Sequence, residues 1–194
     1  MRRRMTLSLA AVFAALCLYY REGALLLPAV LLPVAAHELA HLLALHLLGL
    51  RIETLTLEPR GLCVRYRDGG RGELLAALAG PLGGLVYALV FWNARTPWLR
   101  DSAGLSLLLT AFNLLPVTPL DGGRVFSRLC ARTLGEERGG RLAGAVSAVF
   151  LALLLIAGVA LALRKKTTPP LAAALWLLLS REDEETLVKR GEIR

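Results

Sequence analysis

Charge and cysteine are both scarce in this chain of 194 residues, and each shortage excludes a class of protein. Charged residues make up 20% of the sequence, below the roughly 25% of a typical soluble chain. The three cysteines, Cys17, Cys63 and Cys130, form no CxxC pair, which excludes a disulfide framework and a four-sulfur zinc site. Aromatic residues are few and are not interleaved with the arginines on one face, so the net charge of +8 does not indicate a nucleic-acid surface.

Long apolar runs take the place of the missing charge. Hydrophobic residues make up 56% of the chain, and the mean hydropathy is +0.57. The run from Leu142 to Leu163 contains no charge and is long enough to cross the ~30 Å hydrocarbon core of a bilayer. We therefore predict an all-α membrane protein, a polytopic bundle of about six transmembrane helices with a small membrane-surface β-hairpin. Residues 1–180 would form a single transmembrane domain, and residues 181–194 a charged cytoplasmic tail.

The predicted elements follow from where these runs begin and end. Between the second and third runs, Arg51 to Arg67 is rich in β-formers that partly alternate with polar residues, around a turn at residues 58–61, which predicts the hairpin. Arg124 to Leu134 predicts a short amphipathic helix. The six predicted spans are Met5–Tyr20, Ala24–Leu50, Glu73–Trp92, Ala103–Val117, Leu142–Leu163 and Pro169–Leu179.

The distribution of positive charge predicts the orientation of these spans. With the N-terminus in the cytoplasm, 17 of the 23 lysines and arginines fall in cytoplasmic segments. This bias is typical of cytoplasmic loops. The end of the second span then lies toward the cytoplasm, and the protein is predicted to be a multi-pass protein of the cell membrane.

The second span contains the sequence His37-Glu38-Leu39-Ala40-His41. Residues four apart on a helix share a face, so both imidazoles point the same way. Two neutral histidines on one face can hold zinc, and the glutamate beside them can accept a proton from a water molecule. Ionisable residues inside an apolar run are costly in a membrane and indicate function.

A zinc site of this kind needs a third protein ligand. His46 is five residues beyond His41 and points away from the shared face, while Glu73 and Asp101 lie at predicted span ends, where charged residues are ordinary. Asp121 follows an apolar span broken by two prolines and precedes two glycines. Irregular backbone of this kind is tolerated in a membrane only when it is buried in protein or lines a wet cavity. Asp121 is therefore the predicted third ligand.

Two motifs together resemble a known family. HELAH at 37–41 and NLLPVTPLDGG at 113–123 resemble the HExxH and NxxPxxxLDG motifs of the site-2 proteases, which are intramembrane zinc metalloproteases. The resemblance covers about residues 30–135. It implies one zinc ion per chain held by His37, His41 and Asp121, with Glu38 as the general base and Asn113 as a substrate contact. A hydrogen bond between helices is the structural alternative for Asn113.

The layout without room for a PDZ insert looks most like the branch that processes a sporulation sigma factor. A CBS domain is frequent in that branch, and we expect none in this chain. The family also tends to show GPxxN in the third span, where Gly80 and Pro81 match but Gly84 occupies the asparagine position. The resemblance implies regulated intramembrane proteolysis of a transmembrane or membrane-associated protein substrate. The lipid bilayer and a membrane regulator protein are the other expected partners, and nucleic acid is not one.

A helical substrate must be unwound before its peptide bond can be attacked. We expect a strand near Arg51–Arg67 to capture the unwound segment as an added strand. Three other classes compete with the protease interpretation. A zinc transporter would need more polar residues on adjoining spans, a catalytically inactive relative would show a broken motif, and a different membrane zinc protease would supply a glutamate ligand from a later helix.

Overall fold

The computed structural model describes residues 2–8, 26–50, 52–58, 61–67, 72–165, 175 and 177–178. They form two compact units, one within residues 1–114 and the other within residues 115–194. The elements of the first unit are β1 (Arg2–Ser8), α1 (Leu26–Leu47), β2 (Ile52–Glu58), β3 (Gly61–Arg67), α2 (Gly72–Phe91) and α3 (Pro97–Asn113), and those of the second are α4 (Asp121–Leu134) and α5 (Glu136–Lys165).

The three strands form one antiparallel sheet in the order β1-β3-β2. Strands β2 and β3 lie within the range for which the sequence predicts a hairpin, with Leu57 opposite Leu62 and an irregularity between Ile52 and Thr54. Strand β3 is central and pairs on both sides, so β1 and β2 are the edge strands of this sheet.

The first predicted span was wrong at its start. We expected a helix from Met5, but Arg2–Ser8 is strand β1, which pairs along its whole length with β3. The physical reason is in the local pattern, because Met5 and Leu7 alternate with Thr6 and Ser8 at the period of a strand. The edge of β3 opposite β2 provides backbone partners for this segment. Residues 9–20 of the predicted span lie outside the described residues.

Helices α1 and α2 pack against each other through small residues. A Cβ atom at Gly83 would overlap the Cβ of Ala40 and lie 3.2 Å from the carbonyl oxygen of Ala36. Glycine and alanine therefore let the two backbones approach closely, as in membrane helix pairs. Gly49, with φ +65°, lies just beyond the end of α1, in a conformation that favours glycine.

Helix α3 begins with Pro97 directly after Thr96, the position at which proline is favoured. We predicted that this span runs to Val117, but the helix ends at Asn113. Pro116 explains the earlier end, since proline lacks an N–H group and disfavours helical backbone in the residue before it. The buried residues of α3 are small or polar, namely Ser102, Ala103, Ser106, Thr110 and Asn113.

In the second unit, α4 and α5 form a close helix pair. A Cβ atom at Gly139 would overlap the backbone of Cys130, so this glycine allows the two helices to touch. The loop before α4 contains a cis peptide bond between Thr118 and Pro119. Its Thr118 N–H donates to Ser147 Oγ at 3.2 Å, which ties the loop to α5. Both helices begin earlier than predicted, α4 with Asp121 and α5 with Glu136.

Three of the described helices are long and apolar enough to cross a membrane, over Pro28–Leu47, Leu74–Phe91 and Glu136–Arg164. Large apolar side chains such as Leu89, Leu153 and Leu163 are exposed on them, as expected of surfaces that face lipid. Together with the apolar composition, this indicates an integral membrane protein. Most of the sixth predicted span lies outside the described residues.

Candidate metal centre

His37 and His41 lie one turn apart on α1, and their rings meet on its buried face. Each residue is only 2% exposed. The two Nε2 atoms are 3.2 Å apart, and the rings are T-shaped with centroids separated by 4.9 Å. The structure therefore brings together the two histidines of the predicted motif, with one nitrogen from each pointing at a common space.

The hydrogen bond made by the second nitrogen of His41 determines which nitrogen of that ring can bind a metal ion. Its Nδ1 donates a hydrogen bond to the backbone carbonyl oxygen of Ala76 on α2, at 2.7 Å. A hydrogen on Nδ1 leaves the lone pair of Nε2 available to a metal ion. Metal-binding histidines almost always make a bond of this kind, which holds both the tautomer and the ring orientation.

Gly80 on α2 borders the space that the two Nε2 atoms face. A Cβ atom at residue 80 would lie 2.6 Å from Nε2 of His37 and closer still to Nε2 of His41. Only glycine leaves that space open. Two buried imidazoles that converge on an open space are donors of the type that zinc prefers, so the residues present fit a zinc ion.

The other predicted site residues, Glu38, Asp121 and Asn113, are each buried or partly buried. Glu38 is partly buried on α1, next to His37. Asp121 is the first residue of α4 and is 6% exposed, with one carboxylate oxygen 3.6 Å from the guanidinium of Arg124. Asn113 is buried at the end of α3, and its Nδ2 donates to the carbonyl oxygen of Leu109 in the same helix. The bond described for Asn113 is thus within its helix.

His46 and Asp101, which the sequence analysis set aside as zinc ligands, are both exposed. Their exposure is consistent with positions outside a buried metal site. Sequence reasoning missed the contribution of Gly80 and of the Ala76 carbonyl group. From the sequence alone, Gly80 had no role beyond its match to the GPxxN pattern, and its place beside Pro81 in that pattern is the signal that could have revealed more. A backbone carbonyl group leaves no signal in the sequence.

Comparison with known proteins shows the family to which the chain belongs. The family model described as Peptidase M50B-like matches residues 8–120, which is more than half of the chain. The chain belongs to the Peptidase M50B-like family. A zinc metalloprotease of Methanocaldococcus jannaschii is 28% identical to this M50B-like protein over 135 residues, covering 64% of this chain and 40% of the relative. The Stage IV sporulation protein FB of Bacillus subtilis is 31% identical over 136 residues, covering 64% of this chain and 46% of the relative.

This M50B-like chain thus spans less than half the length of these two curated relatives. A solved structure, the site-2 protease from Methanocaldococcus jannaschii, matches the fold with a TM-score of 0.67. The match covers 91% of this chain and 86% of that chain at 23% sequence identity. The M50B-like protein therefore has the site-2 protease fold.

Proposed function

We propose that this M50B-like protein is an intramembrane zinc metalloendopeptidase. It hydrolyses a peptide bond in or near a transmembrane segment of a membrane-associated protein, as in regulated intramembrane proteolysis. The observation that carries this proposal is the convergence of two buried Nε2 atoms, from His37 and His41, on a helix apolar enough to span a membrane. The peptidase family and the site-2 protease fold support it.

The proposed ligands of one zinc ion are His37, His41 and Asp121. The first two are supported by their geometry and by the open space over Gly80. Asp121 is supported by its motif and by its burial at the start of α4, directly after the proline-broken loop. Zinc, when bound, supplies a Lewis acid that acidifies water and polarises a carbonyl group.

The remaining steps are carried out by groups of the protein itself. Glu38 accepts the proton of the attacking water molecule and returns it to the leaving amine. Asn113 binds the backbone of the unwound substrate, since its bond to Leu109 uses one of the two N–H groups of its amide. The Ala76 carbonyl group keeps the His41 ring in place throughout.

The sheet supports the proposed membrane topology of six spans with a cytoplasmic N-terminus. Pairing of β1 with β3 requires both strands to lie on the same side of the membrane, so the chain between them crosses an even number of times. Helix α1 is one candidate crossing between the two strands, and an even number requires at least a second. The two strands are rich in arginine, which favours the cytoplasmic side for the sheet.

The sheet also indicates which strand would capture the substrate. Because β3 pairs on both sides, β2 is the strand of the hairpin whose outer edge has no partner strand among the described residues. An extended substrate segment added to β2 would gain backbone hydrogen bonds while it is unwound. The proposed partner is therefore a transmembrane protein substrate, with a membrane regulator protein as a second partner that controls its access.

Single proline substitutions at residues 54–57 of β2 are expected to reduce cleavage of the substrate. The effect should appear at every second residue of the strand, where the N–H group points away from β3. Proline removes the N–H group that would donate to an added strand, and each lost bond should lower the cleavage rate by about 2- to 10-fold. Prolines whose N–H group faces outward are tolerated in an edge strand, so zinc content should not change. The matched control is proline at Thr6 or Leu7 in β1, the other edge strand. Unchanged cleavage across the whole β2 set would contradict strand capture.

The zinc content of detergent-purified protein tests the proposed function most directly. We expect about one zinc ion per chain, and little or none in the variants His41→Ala and Asp121→Ala. His46→Ala is the matched control, because His46 is exposed on the same helix and should not affect zinc. Zinc retained by Asp121→Ala would remove Asp121 from the ligand set. Absence of zinc from the intact protein after repletion would contradict the proposed function as a whole.

A further inference from the structure

A row of hydroxyl groups on α3 faces α2, and one of them stands apart from the others. Ser102 Oγ is 2.8 Å from the hydroxyl of Tyr87, and Ser106 Oγ donates to the carbonyl oxygen of Gly84 at 2.8 Å. Thr110, next in the row, is only 8% exposed, yet its Oγ1 has no hydrogen-bond partner among the residues that the structure describes. A buried hydroxyl without a partner is destabilising, so its presence indicates a ligand or a function.

The position of Gly84 shows what this hydroxyl borders. A Cβ atom at residue 84 would lie 2.5 Å from Oγ1 of Thr110 and 3.7 Å from Nδ1 of His37. Both polar groups therefore border the same small space over the α-carbon of Gly84. Any side chain at residue 84 would fill this space, so the glycine keeps the hydroxyl of α3 and the imidazole of α1 open to each other.

The chemistry of a metal-binding histidine assigns a role to this arrangement. Nε2 of His37 faces Nε2 of His41 and the space over Gly80, so Nδ1 is the nitrogen on the far edge of the ring. When Nε2 binds a metal ion, the ring is neutral and Nδ1 carries the hydrogen. That N–H group needs an oxygen acceptor, as the N–H group of His41 has in Ala76.

We propose that Thr110 is a positioning residue for His37. In the metal-loaded protein its hydroxyl oxygen accepts the Nδ1–H of His37, directly or through one water molecule in the space over Gly84. This bond fixes the tautomer and the orientation of the first metal ligand from α3, as the Ala76 carbonyl group fixes the second from α2. The inference rests on the proposed metal site and adds a residue that neither motif contains.

The test is the zinc affinity of purified protein, measured by competition with a chelator of known affinity. Thr110→Val keeps the shape of the side chain and removes the hydroxyl, and should weaken zinc binding about 10- to 100-fold. Thr110→Ser keeps the hydroxyl and should retain wild-type affinity. Ser102→Ala is the matched control, since it removes a hydroxyl of the same row that bonds to Tyr87, and it should leave zinc affinity unchanged.

The stability of the metal-free protein separates positioning from a purely structural role. Thr110→Val should leave the thermal unfolding temperature of the metal-free protein unchanged or raise it, because it replaces a buried hydroxyl with a methyl group. Thr110→Ala provides a second variant with the same expected loss of affinity, should the valine not fit. Wild-type zinc affinity in both variants would overturn the inference while leaving the proposed function intact. Failure of the wild-type protein itself to bind zinc would instead overturn the proposed function.

Discussion

Glu38→Gln is expected to lower the rate of cleavage by about 10²- to 10⁴-fold, the usual contribution of a general base. Glutamine has the size and shape of glutamate but no carboxylate to accept a proton. Zinc content should stay at the wild-type level, since Glu38 is not among the proposed ligands. The measurement is cleavage of a single-span transmembrane peptide that the wild-type protein cleaves, reconstituted in liposomes, together with metal analysis of the same sample.

Glu137→Gln is the matched control for this experiment. Glu137 is an exposed glutamate of α5 that pairs with Arg141, so the substitution removes a carboxylate outside the proposed site. It should leave cleavage unchanged. Wild-type cleavage by Glu38→Gln would show that another group takes the proton. Loss of zinc together with activity would instead give Glu38 a role in holding the metal ion.

Gly80→Ala is expected to weaken zinc binding by about 100-fold or more. The added methyl group would occupy the space that Nε2 of His37 and Nε2 of His41 both face. Relief of the overlap requires a shift of both rings or of α2, and overpacking of this kind destabilises by about 3 kcal/mol, or about two factors of ten in affinity. Chelator competition measures the affinity, and loss of cleavage should follow it.

Gly104→Ala provides the comparison for this variant. Gly104 lies in α3, and a Cβ atom there would meet nothing within 4 Å. The substitution should preserve zinc binding and should stabilise the helix by up to about 1 kcal/mol. If Gly80→Ala bound zinc as tightly as the wild type, the metal ion would have to lie on another side of the two histidine rings.

The part of the site that comes from one helix could be predicted from the sequence. His37 and His41 are four residues apart, and the geometry of a helix then places them together without knowledge of the fold. The contributions of Gly80 and Thr110 could not be predicted in this way. They depend on how closely α2 and α3 approach α1, and a glycine or threonine in an apolar run is equally consistent with ordinary packing between membrane helices.

Element boundaries were predictable only where the local signal was not masked by a longer pattern. The apolar residues from Met5 onward concealed the short alternating pattern of β1, whose pairing with β3 depends on a strand more than fifty residues later in the chain. The end of α3 had a local signal in Pro116, which the continuing apolar run outweighed. The early start of α5 includes charged residues before Leu142, which a search for apolar runs excludes.

The contact of Gly83 with Ala40 and Ala36 also bears on how a substrate is admitted to the site. Two helices whose backbones touch through residues this small have no side-chain layer between them that can yield, so they separate only by losing the whole contact at once. We therefore expect helices α1 and α2 to move together, with the two histidines still aligned with Gly80. In the proposed protease, a transmembrane substrate is then expected to enter along another side of α1.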